Sequence, residues 1–303
     1  ATQIDRRCPV CDASDSNPFL HKKEMTLVRC VNCSMIYSSP VPTEMVGGEF
    51  YKKLGVPFYL SPDKLESDYA GVRFERELKL FRRFCKHGEV LDVGSSTGGF
   101  LFQLSQKFTE EYNGLGIEIS RPALDYARSR GVRMREESFL ETDFREQRFD
   151  AITFWAVMEH LIDAKNFLKK AASLLRPRGH CFMLVPNLNS LAVKILGVKY
   201  RYILPQHVNY FSPTTMKTFA QTEPSLEIVS SGSMHFNPFV IAQDWRSRGK
   251  FIPDEARAAL LKRTTSYKQN PLLKPIKWVY KSAEKILSSA NIADNLFLVL
   301  RKK

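Results

Sequence analysis

Six cysteines occur in the 303 residues, and four of them fall in two pairs, Cys8-Pro-Val-Cys11 and Cys30-Val-Asn-Cys33, with 18 residues between. A two-residue gap lets both thiolates of a knuckle point at one ion, and two knuckles on neighbouring hairpins complete the tetrahedron of a structural zinc site. Two disulfides are the alternative for this spacing, one that a reducing compartment rarely keeps oxidised. The pattern therefore predicts a zinc ribbon over residues 1–45, with all four positions closed by sulfur. Cys85 and Cys181 stand alone in apolar surroundings and read as small core residues.

A second chemistry is written between residues 89 and 118. Glu89-Val90-Leu91-Asp92-Val93 is an apolar run of strand length, followed by Gly94-Ser95-Ser96-Thr97-Gly98-Gly99 and then the helical pattern Phe100-Leu101-Phe102-Gln103-Leu104. Strand, glycine turn and helix form a cofactor cradle, because glycines let backbone approach a ligand and a helix start offers N–H groups to its anionic end. Twenty-four residues beyond Gly94, a second strand over Leu115–Ile119 presents Glu118. There α/β folds place the carboxylate that holds a ribose diol.

These residues need a sheet to hold them. Ser120-Arg121-Pro122 opens a helix that Gly131 closes, Val132–Met134 reads as a third strand, Asp150–Trp155 as a fourth, and Asn166–Leu175 as a helix. Arg176-Pro177-Arg178-Gly179 reads as a turn into a fifth strand, His180–Val185, and Leu226–Ser230 with Leu296–Leu300 completes seven. The expected fold is α/β, a Rossmann-like seven-stranded sheet with helices on both faces, plus the small N-terminal ribbon. Residues 46–84, with Tyr51, Tyr59, Tyr69 and the run Phe74, Leu78, Phe81, form a helical bridge or cap in this reading. Residues 85–303 form the main domain, with an insertion at 186–212 and a basic amphipathic helix at 271–289.

Taken in order, these motifs resemble the class I S-adenosylmethionine-dependent methyltransferases, specifically the bacterial group with an N-terminal zinc ribbon. The resemblance is carried by Leu91-Asp92-Val93-Gly94-Ser95-Ser96-Thr97-Gly98, Gly116-Ile117-Glu118-Ile119-Ser120, Arg148-Phe149-Asp150, Glu159-His160-Leu161, Leu174-Leu175-Arg176-Pro177-Arg178-Gly179 and His207-Val208-Asn209-Tyr210-Phe211-Ser212. The ribbon, closing with Ile36-Tyr37-Ser38-Ser39-Pro40, extends it to the N-terminus. It implies that Asp92, Gly94, Ser95 and Gly98 line the methionine and ribose end of the cofactor, that Glu118 holds the ribose hydroxyls, and that Ser138 and Phe139 read the adenine. Trp155, at the end of the fourth strand, joins this cofactor-binding set. The family's middle glycine is Ser96 here, a departure that also breaks the dinucleotide pattern Gly-x-Gly-x-x-Gly of a dehydrogenase.

A sulfonium is already an activated methyl donor, so the protein has to align an acceptor and, for a hydroxyl, remove its proton. His160, just beyond the fourth strand with Glu159 beside it, and His207, in the polar-aromatic loop after the fifth, are the candidate catalytic bases. Both have structural alternatives, a backbone-capping His160 and a His207 that faces the helix near Pro213. Some related enzymes hold a divalent metal with Glu-x-x-Glu-His; the first of those positions is Ala156 here, so the expectation is metal-free transfer, with zinc held only by Cys8, Cys11, Cys30 and Cys33.

Charge narrows the partners. The net charge is +13, yet residues 1–45 carry five Lys/Arg against five Asp/Glu, while residues 241–303 carry 14 against five. A ribbon that reads nucleic acid should be basic, so an RNA methyltransferase ranks below an enzyme acting on a small molecule such as a sugar, glycan or secondary-metabolite intermediate. A binding protein that keeps the fold without turnover is the third class. Leu272, Ile276, Val279, Ala283 and Ile286 recur at helical spacing beside a stripe of Lys274, Lys277, Lys281 and Lys285, which suits packing on the core or peripheral contact with an anionic membrane and a lipid-linked glycan. The chain starts at Ala1 with no charged-then-apolar leader, and no apolar run nears the ~20 residues of a membrane-spanning helix. The expected location is cytoplasmic.

Overall fold

The computed structural model of the protein describes residues 3–22, 25–46, 56–250 and 252–303; Tyr51 of the expected bridge lies outside them. The N-terminal strands are β1 (Gln3–Ile4), β2 (Ser16–Lys22), β3 (Met25–Cys30), β4 (Ile36–Ser38) and β5 (Val41–Pro42). The larger part carries β6 (Gly88–Val93), β7 (Tyr112–Glu118), β8 (Met134–Glu136), β9 (Phe149–Trp155), β10 (Leu175–Pro186), β11 (Asn209–Tyr210), β12 (Leu226–Met234) and β13 (Asn295–Lys302).

Seven of these form one sheet in the order β12-β13-β10-β9-β6-β7-β8, parallel from β10 to β8 and antiparallel on both sides of β13. Alternation along the strands divides the core in two. In β10, Cys181, Met183 and Val185 face one layer, with Leu168 and Ala171 of the helix Ala164–Leu174 and Phe219 of the helix Pro213–Ala220. Phe182 and Leu184 face the other, with Phe81 of the helix Glu75–Phe84, Leu104 of the helix Gly99–Lys107 and Leu124 of the helix Arg121–Ser129. Each such fully buried side chain is worth about 1.5–3 kcal/mol of transfer free energy. This is the expected α/β fold with helices on both faces.

The N-terminal ribbon is spliced into that core. Its antiparallel sheet has the order β11-β4-β3-β2, and β11 comes from residues 209–210. Val10, Val28, Met35 and Tyr37 belong to the same apolar cluster as Leu91 and Phe154 of the large sheet. A boundary near residue 45 therefore divides the sequence and not the packing.

Four details differ from the sequence reading. The third strand lies at Met134–Glu136, beyond Val132–Met134, because Val132 is spent on closing the preceding helix with a bond from its N–H to Ala127. The segment Arg176-Pro177-Arg178-Gly179 is a bulge inside β10, which already pairs at Leu175 and shifts register before His180. The helix Lys274–Ser289 turns Tyr280, Glu284 and Leu287 inward, Glu284 to an ion pair with Arg76 and Tyr280 to the carbonyl of Phe236. Of the two alternatives for its apolar stripe, packing on the core does not hold for Leu272, Val279 and Ile286, which are 85%, 62% and 68% exposed; the side chains of Lys274 and Ile276 lie outside the described ones. Finally, the charge-rich stretch after β12 contains two helices that periodicity did not reveal, Pro238–Ser247 and Asp254–Gln269.

Candidate active site

The parallel strands end on one edge of the sheet, and there the chain turns from β6 into its glycine loop. Gly94 has φ +68, and a Cβ added to it would lie 2.8 Å from Val157, so the loop hugs the strand β9 exit through a residue that has no side chain. Ser96 takes φ +50, so it keeps the left-handed backbone of the glycine it replaces at the cost of a strained Cβ. Its N–H donates to Glu118 Oε2 at 2.8 Å, and Glu118 Oε1 accepts from the N–H groups of Ile119 and Ser120, both at 2.8 Å. Glu118 is thereby fixed at the mouth of β7, and burial pushes its carboxyl upward.

Asp92 stands one strand away with both oxygens engaged, Oδ1 by Thr153 Oγ1 at 2.6 Å and Oδ2 by Ser95 Oγ at 2.8 Å. Burial pushes it up to about 6. Together these groups bound a cavity of about 2120 Å³, whose wall includes Asp92, Gly94, Ser95, Glu118, Ser138, Phe139 and Trp155. The indole Nε1 of Trp155 is buried with no hydrogen-bond partner among the described residues. Gly98 is not on the wall: at φ +76 it precedes the helix Gly99–Lys107 and packs against Ala127 and Val132. Its part is to turn the loop.

Glu159, His160 and His207 line the same cavity. Glu159 and His160 lie in a single 3-10 turn, Met158–His160, directly after β9. Nδ1 of His160 is 2.8 Å from the carbonyl oxygen of Gln206; a carbonyl can only accept, so Nδ1 carries the proton and Nε2 is the basic nitrogen of the neutral ring. The His207 ring meets that of His160 edge-on at 4.6 Å between centroids and stacks on Tyr202 at 5.9 Å. Desolvation holds His160 down at about 4 and His207 well below its ordinary range, and it pushes Glu159 up to about 8. Glu159 Oε1 lies 3.9 Å from His160 Nε2, and Oε2, buried, has no hydrogen-bond partner among the described residues. The sequence named both histidines, and only the fold brings them together. Their ligand atoms and that of Glu159 lie within 4.8 Å of one another, a donor set that the pattern broken at Ala156 did not suggest.

Sequence reasoning missed the rest of the wall. Lys64, Asp68 and Arg73 reach it from the bridge, and Arg257 and Leu261 from the helix Asp254–Gln269, which is pinned to the helix Pro62–Asp68 by a 2.6 Å bond between Thr265 Oγ1 and Ser67 Oγ. The expected bridge or cap over residues 46–84 contains Lys64, Asp68 and Arg73, but no local signal in the sequence marks these positions or Arg257 and Leu261 as wall residues. Among the described residues, no helix is long and apolar enough to cross a membrane.

The four ribbon cysteines also converge. Cys8 and Cys33 sulfurs are 3.4 Å apart, as are those of Cys11 and Cys30, and all four lie within 4.8 Å of one another. A tetrahedron with Zn–S near 2.3 Å has edges of about 3.8 Å, so the residues fit the metal.

Residues 69–222 match the family profile described as a methyltransferase domain. The chain belongs to that family. It is 29% identical over 163 residues to a ubiquinone biosynthesis O-methyltransferase of Alkalilimnicola ehrlichii, covering 49% of this chain and 64% of the relative, and 30% identical over 147 residues to the Bradyrhizobium diazoefficiens protein of that name, covering 44% and 54%. The matched stretch thus spans less than two thirds of these relatives. Among solved structures it is similar to the [4+2]-cyclase SpnF (TM-score 0.54, 15% identity, 86% of this chain and 97% of that one) and to a SAM-dependent methyltransferase of Archaeoglobus fulgidus (TM-score 0.50, 15% identity, 83% and 100%). The methyltransferase domain is of class I, S-adenosylmethionine-dependent type.

Proposed function

We propose that the protein methylates a small-molecule acceptor, a sugar, glycan or secondary-metabolite intermediate, at an atom whose proton is removed by a histidine. When bound, S-adenosylmethionine supplies a methyl group activated on a sulfonium. Glu118 holds its ribose hydroxyls, Ser138 and Phe139 flank its adenine, and the Gly94–Gly99 loop shapes its methionine end. His160 takes the acceptor's proton on Nε2 while the Gln206 carbonyl holds the ring through Nδ1–H. Glu159, with Oε1 3.9 Å from His160 Nε2, orients the ring that has taken the proton, and that proton leaves Nε2 to solvent when the product departs. His207 walls the same space and orients the acceptor ring against Tyr202. The single observation that carries this reading is the edge-on pairing of His160 and His207 in one cavity whose wall also includes Gly94 and Glu118. Its size, well above the ~300–1,000 Å³ of ordinary ligand pockets, supports a cofactor and an acceptor bound together.

Transfer from isotope-labelled S-adenosylmethionine into a bacterial extract, split into RNA, lipid and small soluble fractions, tests this. Label in the soluble or lipid fraction, lost in His160→Ala, is expected; nuclease-sensitive label would make RNA the acceptor. In our reading the transfer is metal-free. Activity should survive EDTA at concentrations that leave the cysteine-bound zinc in place, and a loss restored by Mg²⁺ would assign Glu159, His160 and His207 to a metal.

The proposed setting is the cytoplasmic face of a membrane. Trp278, Val279 and Ile286 stand exposed on the helix Lys274–Ser289 beside exposed Lys281 and Lys285, and Trp245 is 68% exposed on the helix Pro238–Ser247. Apolar and aromatic groups flanked by lysine suit the boundary of an anionic bilayer. Both helices contribute residues to the cavity wall, Lys277 and Tyr280 from one and Phe239 and Asp244 from the other. Sedimentation with vesicles containing anionic lipid should be lost in the double variant Trp278→Ser, Lys281→Glu and weakened by salt; binding indifferent to both would remove the membrane from this reading.

A further inference from the structure

Arg6 leaves β1 two residues before the first zinc-site cysteine, and its guanidinium leaves the ribbon altogether. One terminal nitrogen donates to the carbonyl of Val208 at 3.1 Å; the other donates to the carbonyl of Ile162 and to Asn209 Oδ1, each at 3.1 Å. Its backbone N–H is tied to Ser39 Oγ at 3.0 Å. The three acceptors belong to the two loops that carry the candidate bases: Ile162 follows His160 by two residues, and Val208 follows His207 directly. The loops also hold each other directly, Val208 N–H to the Glu159 carbonyl at 2.8 Å, Asn209 Nδ2 to the carbonyls of Met158 and Leu161 at 2.9 and 2.7 Å, and His160 Nδ1–H to the Gln206 carbonyl at 2.8 Å. Directly beyond, β11 pairs with β4, Asn209 opposite Tyr37 and Tyr210 opposite Ile36.

We infer that Arg6 is a positioning residue that locks the His160 and His207 loops to the zinc ribbon, so that the cysteine site governs the order of the acceptor wall. A guanidinium is a planar fork with donors in fixed directions, and here it spans three neutral oxygens instead of closing on a carboxylate. Such a fork fixes the relative placement of two loops, which a lysine reaching one oxygen does not. The ribbon end of the strut is anchored by chemistry of its own, since Arg6 lies two residues before Cys8 and β4 begins three residues after Cys33, and the two cysteines would share one ion. Release of that ion frees the strand ends that hold Arg6 and β11. Loosening then reaches the histidine loops before it reaches the cradle, which the ribbon does not touch through Arg6.

The consequence for catalysis rests on the proposed function, but the test does not need an acceptor. Hydrogen exchange is followed by mass spectrometry on the full zinc-loaded chain, on the zinc-stripped chain, and on Arg6→Gln and Arg6→Lys, with S-adenosylhomocysteine binding as the control for the cradle. In Arg6→Gln, exchange over residues 157–163 and 204–211 should rise about tenfold, the scale of one or two lost hydrogen bonds, while residues 90–118 and the S-adenosylhomocysteine affinity stay unchanged. Stripping zinc from the wild type should accelerate the same two segments. Nitrogen NMR should show His160 moving from one tautomer toward a mixture. Arg6→Lys, the milder change, should fall between; wild-type protection in Arg6→Lys would overturn the need for a fork. Unchanged protection in Arg6→Gln, or acceleration spread equally over residues 90–118, would overturn the inference. If the loops loosen as stated yet His160→Ala retains methyl transfer, the strut stands and the assigned base falls.

Discussion

The two walls of the cavity are built in opposite ways. The cradle wall is largely local: Asp92, Gly94, Ser96 and Glu118 lie within 27 residues, Glu118 is fixed by backbone N–H groups, Asp92 by the side chain of Ser95, and one distant side chain, Thr153 of β9, reaches in to Asp92. The acceptor wall is assembled from distant stretches, with His160 leaning on the Gln206 carbonyl, Thr265 on Ser67, and Arg6 on Val208. A methyl donor is common to a whole family and can be held by one rigid motif, whereas the acceptor differs from enzyme to enzyme and is met by loops from several elements. The similarity of fold to a [4+2]-cyclase carries the same lesson, because the scaffold alone does not name the reaction.

Substitutions on each wall should therefore separate cofactor binding from turnover. The largest effect is expected from His160→Ala, which should lower turnover by about 10²–10⁴-fold as the loss of a general base does, with S-adenosylhomocysteine affinity unchanged by calorimetry; intact turnover would transfer the role to His207. Next, Glu118→Ala should weaken cofactor binding by about 10- to 100-fold, the worth of hydrogen bonds to a charged group, while thermal unfolding stays cooperative. Cys30→Ser should release the metal, read by elemental analysis, and lower the melting temperature; a full zinc complement would refute the ribbon site.

Smaller effects follow from titration and strain. The folded state holds Glu159 at about 8 against an ordinary 4.5, so its contribution to stability is complete below pH 4.5 and is lost as pH rises through 8. His160 is held at about 4 against 6.5, so its contribution is complete above pH 6.5 and is lost as pH falls through 4. In Glu159→Gln the fall in melting temperature between pH 6 and 8.5 should flatten, and in the wild type kcat/KM should stay level down to about pH 5. A normal slope in the variant would mean that Glu159 is already ionised. The smallest expected change is Ser96→Gly, which relieves the left-handed serine and should stabilise by about 1 kcal/mol or less, measured by denaturant unfolding.

What could be read from the chain was whatever repeats locally. The Cys-x-x-Cys knuckles, the strand-glycine-helix run at 89–104, Glu118 at a strand end and the alternation of the parallel strands each concern neighbours within a few residues, where covalent geometry leaves few options. Glu159, His160 and His207 were visible as residue types, and their meeting was not. The tertiary structure decided three further things: that β11 completes the ribbon's sheet, that the helix Asp254–Gln269 closes the cavity, and that the helix Lys274–Ser289 buries Glu284 and exposes Val279 and Ile286. Each depends on contacts separated by tens to hundreds of residues. For the last helix the outcome was set by what lay opposite, an ion pair to Arg76 and a tyrosine hydroxyl seated on a carbonyl, while Val279 and Ile286 stay exposed.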